Sequence, residues 1–149
     1  MLEKLFGLPA HPVYVHFPVA FFILSSFLLG LRGVDGESHR INRWLKKIKL
    51  GHFDFDSLSL LALFFGCGMG IVAILSGLAL VGGWEKAPFP HAALGISTVI
   101  CYSTLLVIRW VFGPSLYKHP LRYLYFGLHL LGVVLVVLTG FEGGELHYS

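Results

Sequence analysis

Four long apolar runs, at about residues 12–33, 57–83, 90–113 and 121–141, alternate with short polar connections along the whole chain. Each run is near the roughly 20 residues that a helix needs to cross about 30 Å of hydrocarbon. A spanning helix satisfies its own backbone hydrogen bonds and an open sheet edge in lipid cannot, so the pattern predicts an all-α fold. The expected architecture is one transmembrane domain over 1–149, an integral membrane four-helix bundle. The first run lacks a charged n-region before it and an A-x-A cleavage motif after it, and reads as a retained helix.

A fifth periodicity lies in the first connection. In Ser38-His-Arg-Ile-Asn-Arg-Trp-Leu-Lys-Lys-Ile-Lys-Leu-Gly51, apolar Ile41, Trp44, Leu45 and Ile48 recur at helical spacing, opposite Arg40, Arg43, Lys46 and Lys47. Ser38 suits an N-cap and Gly51 a stop. This predicts an amphipathic helix over about 39–50 lying in the membrane interface, either a lipid-facing connector drawn to anionic headgroups or a surface for a partner subunit.

Composition agrees with a membrane solvent: of 149 residues 56% are hydrophobic and 13% charged, and the mean hydropathy is +0.77. Charge adds direction. Of eleven Lys and Arg, nine (Arg32, Arg40, Arg43, Lys46, Lys47, Lys49, Arg109, Lys118 and Arg122) flank the first and third connections, and only Lys4 and Lys86 fall on the other side. The positive-inside rule then places those connections in the cytoplasm and both termini outside. Trp84 and Trp110 fall at span ends, where indole rings favour the headgroup level. The net charge of +3 follows from the loop bias and is no argument for nucleic acid. Cys67 and Cys101 lie inside apolar spans as small hydrophobes. No C-x-x-C-H occurs, which excludes covalent c-type haem attachment.

Eight histidines carry the candidate chemistry. His39, His52 and His119 fall in the basic loops and are expected to be solvated. His11, His16, His91 and His147 all map to the opposite, outer end, and histidine inside a membrane is costly without a partner. In His11-Pro-Val-Tyr-Val-His-Phe-Pro18, Pro12 is tolerated near a helix start and Pro18 is expected to kink the span. Two imidazoles from different helices at one depth suit axial ligation of one haem iron. His16 and His91 are the preferred pair, with His11 and His129 as further ligand candidates. Gly66-Cys-Gly-Met-Gly70 and Ser76-Gly77 provide small residues, for a flat macrocycle or for helix packing alone. His129, about 12 Å from the cytoplasmic end, shares its depth with no other span histidine. It is either a core histidine bonded to a carbonyl or to Ser/Thr, or a ligand of a second haem. Zinc or copper held with Glu142 and Glu145 is a weaker metal reading, since no tight ligand spacing occurs. Both carboxylates are expected on a tail too glycine-rich to form a rigid helix.

The His11-Pro-x-x-Val-His16-Phe-Pro18 opening, the Ser-Gly of the second span, a histidine opening the third and the closing Thr139-Gly-Phe-Glu-Gly-Gly-Glu-Leu resemble DUF2231, an uncharacterised family of bacterial four-helix membrane proteins. The resemblance covers nearly the whole chain and carries over His11, His16 and His91 as motif histidines. That family usually closes Gly-Gly-x-Leu-Val-Tyr-x-His-Gly; here His147 stands three residues upstream of the corresponding place. Members often occur beside Rieske or c-type cytochrome components, which implies a place in an electron-transfer chain.

The expectation is a b-type cytochrome-like membrane subunit holding one or two haem b groups near the outer face. It would be an electron-transfer subunit within a respiratory or photosynthetic redox complex rather than an enzyme in its own right. Rieske or cytochrome c-like subunits, membrane lipid and quinone are the candidate partners. The rival is a non-catalytic assembly subunit; a transporter is weaker, with no internal repeat and almost no intramembrane charge.

Overall fold

In a computed structural model of the chain, residues 10–35, 40–47 and 54–148 are described, and all their regular structure is helical. The order is α1 (Ala10–Asp35), α2 (Arg40–Lys47), α3 (Phe55–Val81), α4 (Phe89–Phe112) and α5 (Arg122–Tyr148), with 3-10 turns at Trp84–Lys86 and Gly113–Lys118. The four long helices are apolar and long enough to cross a membrane. The remainder of the expected 39–50 interfacial helix, with His39 and His52, lies outside the described residues. The α2 segment carries exposed Arg43 and Trp44 and a buried Asn42.

Local chemistry sets the helix ends. Asp54 caps α3 by accepting from the backbone N–H of Asp56 (3.1 Å) and Ser57 (3.2 Å). At the far end Gly82 takes the left-handed φ of 79°, and the N–H groups of Gly82 and Gly83 both return to the Leu78 carbonyl. These caps start and stop the helix two residues before the apolar run does. Pro88 caps α4, and Pro90 sits in its first turn, where no amide proton is needed. Helix α1 continues through Pro18.

One expectation is corrected at α5, which runs through Gly143 and Gly144 to Tyr148 rather than ending near 141. Glycine weakens an isolated helix by about 1 kcal/mol per residue. Here the Gly143 backbone is covered by the His91 imidazole of α4, whose Cε1 would lie 2.9 Å from an added Cβ. Tertiary packing of this kind outweighs propensity.

The long helices form two hairpins, α1 with α3 and α4 with α5, which meet through α3–α4 and more lightly through α1–α5. Phe22, Leu29, Leu63, Tyr102, Leu105, Tyr125 and Val136 form the core, with the Phe22 and Tyr102 rings stacked at 4.0 Å. Only 22% to 33% of each spanning window is buried. The exposed remainder includes Leu130, Phe141, Ile100 and Val107, which a bilayer solvates and water does not. Since lipid is as apolar as leucine, polar contacts add specificity between helices. Ser25 Oγ donates to the Ser59 carbonyl (3.0 Å), and Ser59 Oγ returns to the Ser25 carbonyl (2.9 Å).

Candidate functional site

The histidine end of the bundle joins both hairpins. The His11 ring lies at the α1–α3 interface, close over Gly77; a Cβ there would sit 2.9 Å from His11 Cε1. Its Nδ1 is 2.8 Å from Ser76 Oγ. Ser76 already gives its one proton to the Ala73 carbonyl, 2.9 Å away. With that proton on the Ala73 carbonyl, the Ser76 oxygen accepts from His11, an assignment that makes His11 the Nδ1–H tautomer and leaves Nε2 as an unprotonated lone pair. His91 opens α4 on the opposite hairpin, packed on Gly143, and its Nδ1 is buried without a hydrogen-bond partner. The two rings lie near enough to interact electrostatically: burial first, and then His91, hold the His11 pKa below its usual 6.5.

The two members of the expected pair differ in setting: His91 packs on Gly143 of α5. His16 is exposed on the bundle surface; five residues along a helix turn a side chain by about 140°, so His11 and His16 cannot share a face. His11 lies at the same end of the bundle as His91, within electrostatic reach of it. The side chain of His147 lies outside the described residues. Glu142 is partly buried and Glu145 exposed, both on the continued α5 helix. Exposed His119 accepts from the Leu121 N–H at 3.2 Å. The glycines divide between roles. Gly66 and Gly70 admit Phe22 of α1 and Val99 of α4, as helix packing requires, whereas Gly77 seats His11.

His129 sits in a separate layer, 96% buried. Fourteen residues of helix place it about 21 Å from the level of Gly143. Its Nδ1 lies 3.0 Å from Ser26 Oγ of α1, which lies 3.1 Å from the Tyr102 hydroxyl of α4. The Tyr125 ring meets it edge-on at 4.8 Å. His129 Nε2 is buried without a partner. One proton order, Tyr102 to Ser26 to His129 Nδ1, leaves a single group unsatisfied, Nε2–H. The reverse order strands both the Tyr102 proton and the Nε2 lone pair, so the first is favoured.

At the basic end Asp56 accepts from Arg109 through both carboxylate oxygens and from the Tyr117 hydroxyl. This ties the start of α3 to the end of α4 and the turn after it. Sequence reasoning missed Asp56, because a positive-inside count weighs cations and passes over the carboxylate that organises them. It also missed Ser76 as a partner for His11 and the Ser26–Tyr102 pair. Their signal was depth: Ser76 lies five residues from the C-terminal end of α3, level with the starts of α1 and α4.

A family profile described as "Predicted membrane protein (DUF2231)" matches residues 7–149, and the chain belongs to that family. Comparison with curated proteins and with solved structures returned no match.

Proposed function

We propose that this DUF2231 member is a b-type cytochrome-like subunit that holds haem b at the histidine end, with His11 and His91 as axial ligands. The observation that carries the reading is the Ser76 bond. A ligating histidine presents an unprotonated nitrogen and donates its other N–H to a fixed acceptor; His11 does the second and is thereby ready for the first. His91 adds a buried, unpartnered ring nitrogen from the other hairpin, and bundles hold cofactors between facing helices.

The donor set fits the group. Among the described residues no cluster of three His, Cys, Asp or Glu occurs, whereas a closed zinc site needs four ligands. Haem brings four nitrogens of its own and asks the protein only for axial ones. Bound there, the iron would carry one electron at a time. The chain's part is to orient the imidazoles, with Ser76 raising the basicity of His11 and burial tuning the potential. A second haem at His129 would need a ligand from outside the described residues.

Loop charge supports an orientation with the basic end cytoplasmic and the His11–His91 end at the outer face of a bacterial inner membrane. Electrons would then pass between a membrane donor such as quinol and an external Rieske or cytochrome c-like protein. The test is stopped-flow mixing of the dithionite-reduced, haem-loaded protein in liposomes with a soluble c-type cytochrome. Oxidation of the membrane haem with matching reduction of the acceptor is expected. A protein that stays colourless when produced with ample haem overturns the proposal.

A further inference from the structure

Among the described side chains, more guanidinium gathers around Asp56 than that one carboxylate can bond. Asp56 spends its oxygens on Arg109 and Tyr117. Arg32, near the end of α1, is 3.8 Å from Asp56 Oδ1, beyond hydrogen-bond reach. Its guanidinium carbon instead lies 3.3 Å over the centre of the Tyr117 ring. Its side chain is 35% exposed. Arg122, opening α5, gives one N–H to the Tyr117 carbonyl (3.2 Å) and one to the Tyr123 hydroxyl (2.7 Å). Around Tyr117, then, the described side chains set three cations, Arg32, Arg109 and Arg122, against one anion, Asp56.

This excess lies where helix ends meet the bilayer headgroups. An Arg fork matches two phosphate oxygens in one plane. Stacking on Tyr117 fixes the fork in advance, so little ordering remains to be lost on binding. We propose that Arg32, stacked on Tyr117 and flanked by Arg122, seats the phosphate of an anionic phospholipid. The uncompensated charge selects a net-negative lipid over a zwitterionic one, which brings its own cation. The site is independent of any haem.

Native mass spectrometry of the full chain, released from nanodiscs of mixed phosphatidylglycerol and phosphatidylcholine, reads the retained lipid directly. The wild type is expected to retain phosphatidylglycerol in preference, and Arg32→Gln to weaken that preference about tenfold. Arg32→Lys, which keeps the charge without the fork, should fall between them. Lys86→Gln, exposed in the Trp84–Lys86 turn at the opposite end of the bundle, should match the wild type. Equal phosphatidylglycerol retention by Arg32→Gln and wild type overturns the proposal. So does loss of the retained lipid to inorganic phosphate, which would make the seat one for a free anion.

Discussion

Replacing Ser76 by alanine sets two effects of opposite sign against each other. Alanine is the better helix former by about 0.5 kcal/mol, and Ser76 is completely buried in the α3 interior, so propensity alone predicts a gain. The hydrogen bond predicts a loss. Its removal strands the Nδ1–H of a half-buried His11, at a cost of about 1 to 2 kcal/mol. The net expectation is a destabilisation of about 0.5 to 1.5 kcal/mol. In a His11→Phe background no such N–H exists, and the same change should be neutral or stabilising. The coupling between the two sites is then about 1 to 2 kcal/mol. Titration with SDS in mixed micelles, followed by helical circular dichroism, measures all four corners of the cycle. Equal effects of Ser76→Ala in both backgrounds would refute the bond and the His11 tautomer derived from it.

Other expectations follow from the same contacts. Gly143→Ala places a methyl 2.9 Å from His91 Cε1 and should cost about 1 to 3 kcal/mol, whereas Gly140→Ala, with nothing within 4 Å, should be neutral or stabilising by the same titration. Asp56→Asn leaves Arg109, only 6% exposed, without its counter-ion and should lose about 3 kcal/mol; adding Arg109→Met should recover most of it. The folded-state pKa of His11 lies below 6.5, so the native state takes up its proton less readily than the unfolded chain. Its contribution to stability is complete above about pH 6.5 and is lost as pH falls through the lower folded value. Unfolding titrations across that range should show this slope in the wild type and a flatter one in His11→Phe.

The four spans were legible because bilayer thickness imposes a length on any crossing helix, and Asp54 and the Gly82–Gly83 pair moved the α3 boundaries by only two residues. Depth was legible as well: counting from the helix ends puts residues 11 and 91 at one level. Rotation was not. In a soluble helix the apolar stripe marks the inside, but α1 is apolar all round, so the sequence offered no reason to prefer the face of His11 to that of His16. The structure supplies it. Pro18, Phe22, Ser25 and Leu29 are buried, a stripe at three- and four-residue spacing that reaches back to residue 11 and passes by residue 16. The continued helix at Gly143 was hidden for a related reason, since its stabilising contact is an imidazole 52 positions earlier in the chain.

Haem per chain, read from the reduced optical spectrum of protein purified with ample haem, bears most directly on the His11–His91 site. The account predicts a Soret and α-band in the wild type, their loss in His11→Ala and in His91→Ala, and their retention in His16→Ala. A colourless wild type, or bands that survive His11→Ala and vanish with His16→Ala, would contradict it.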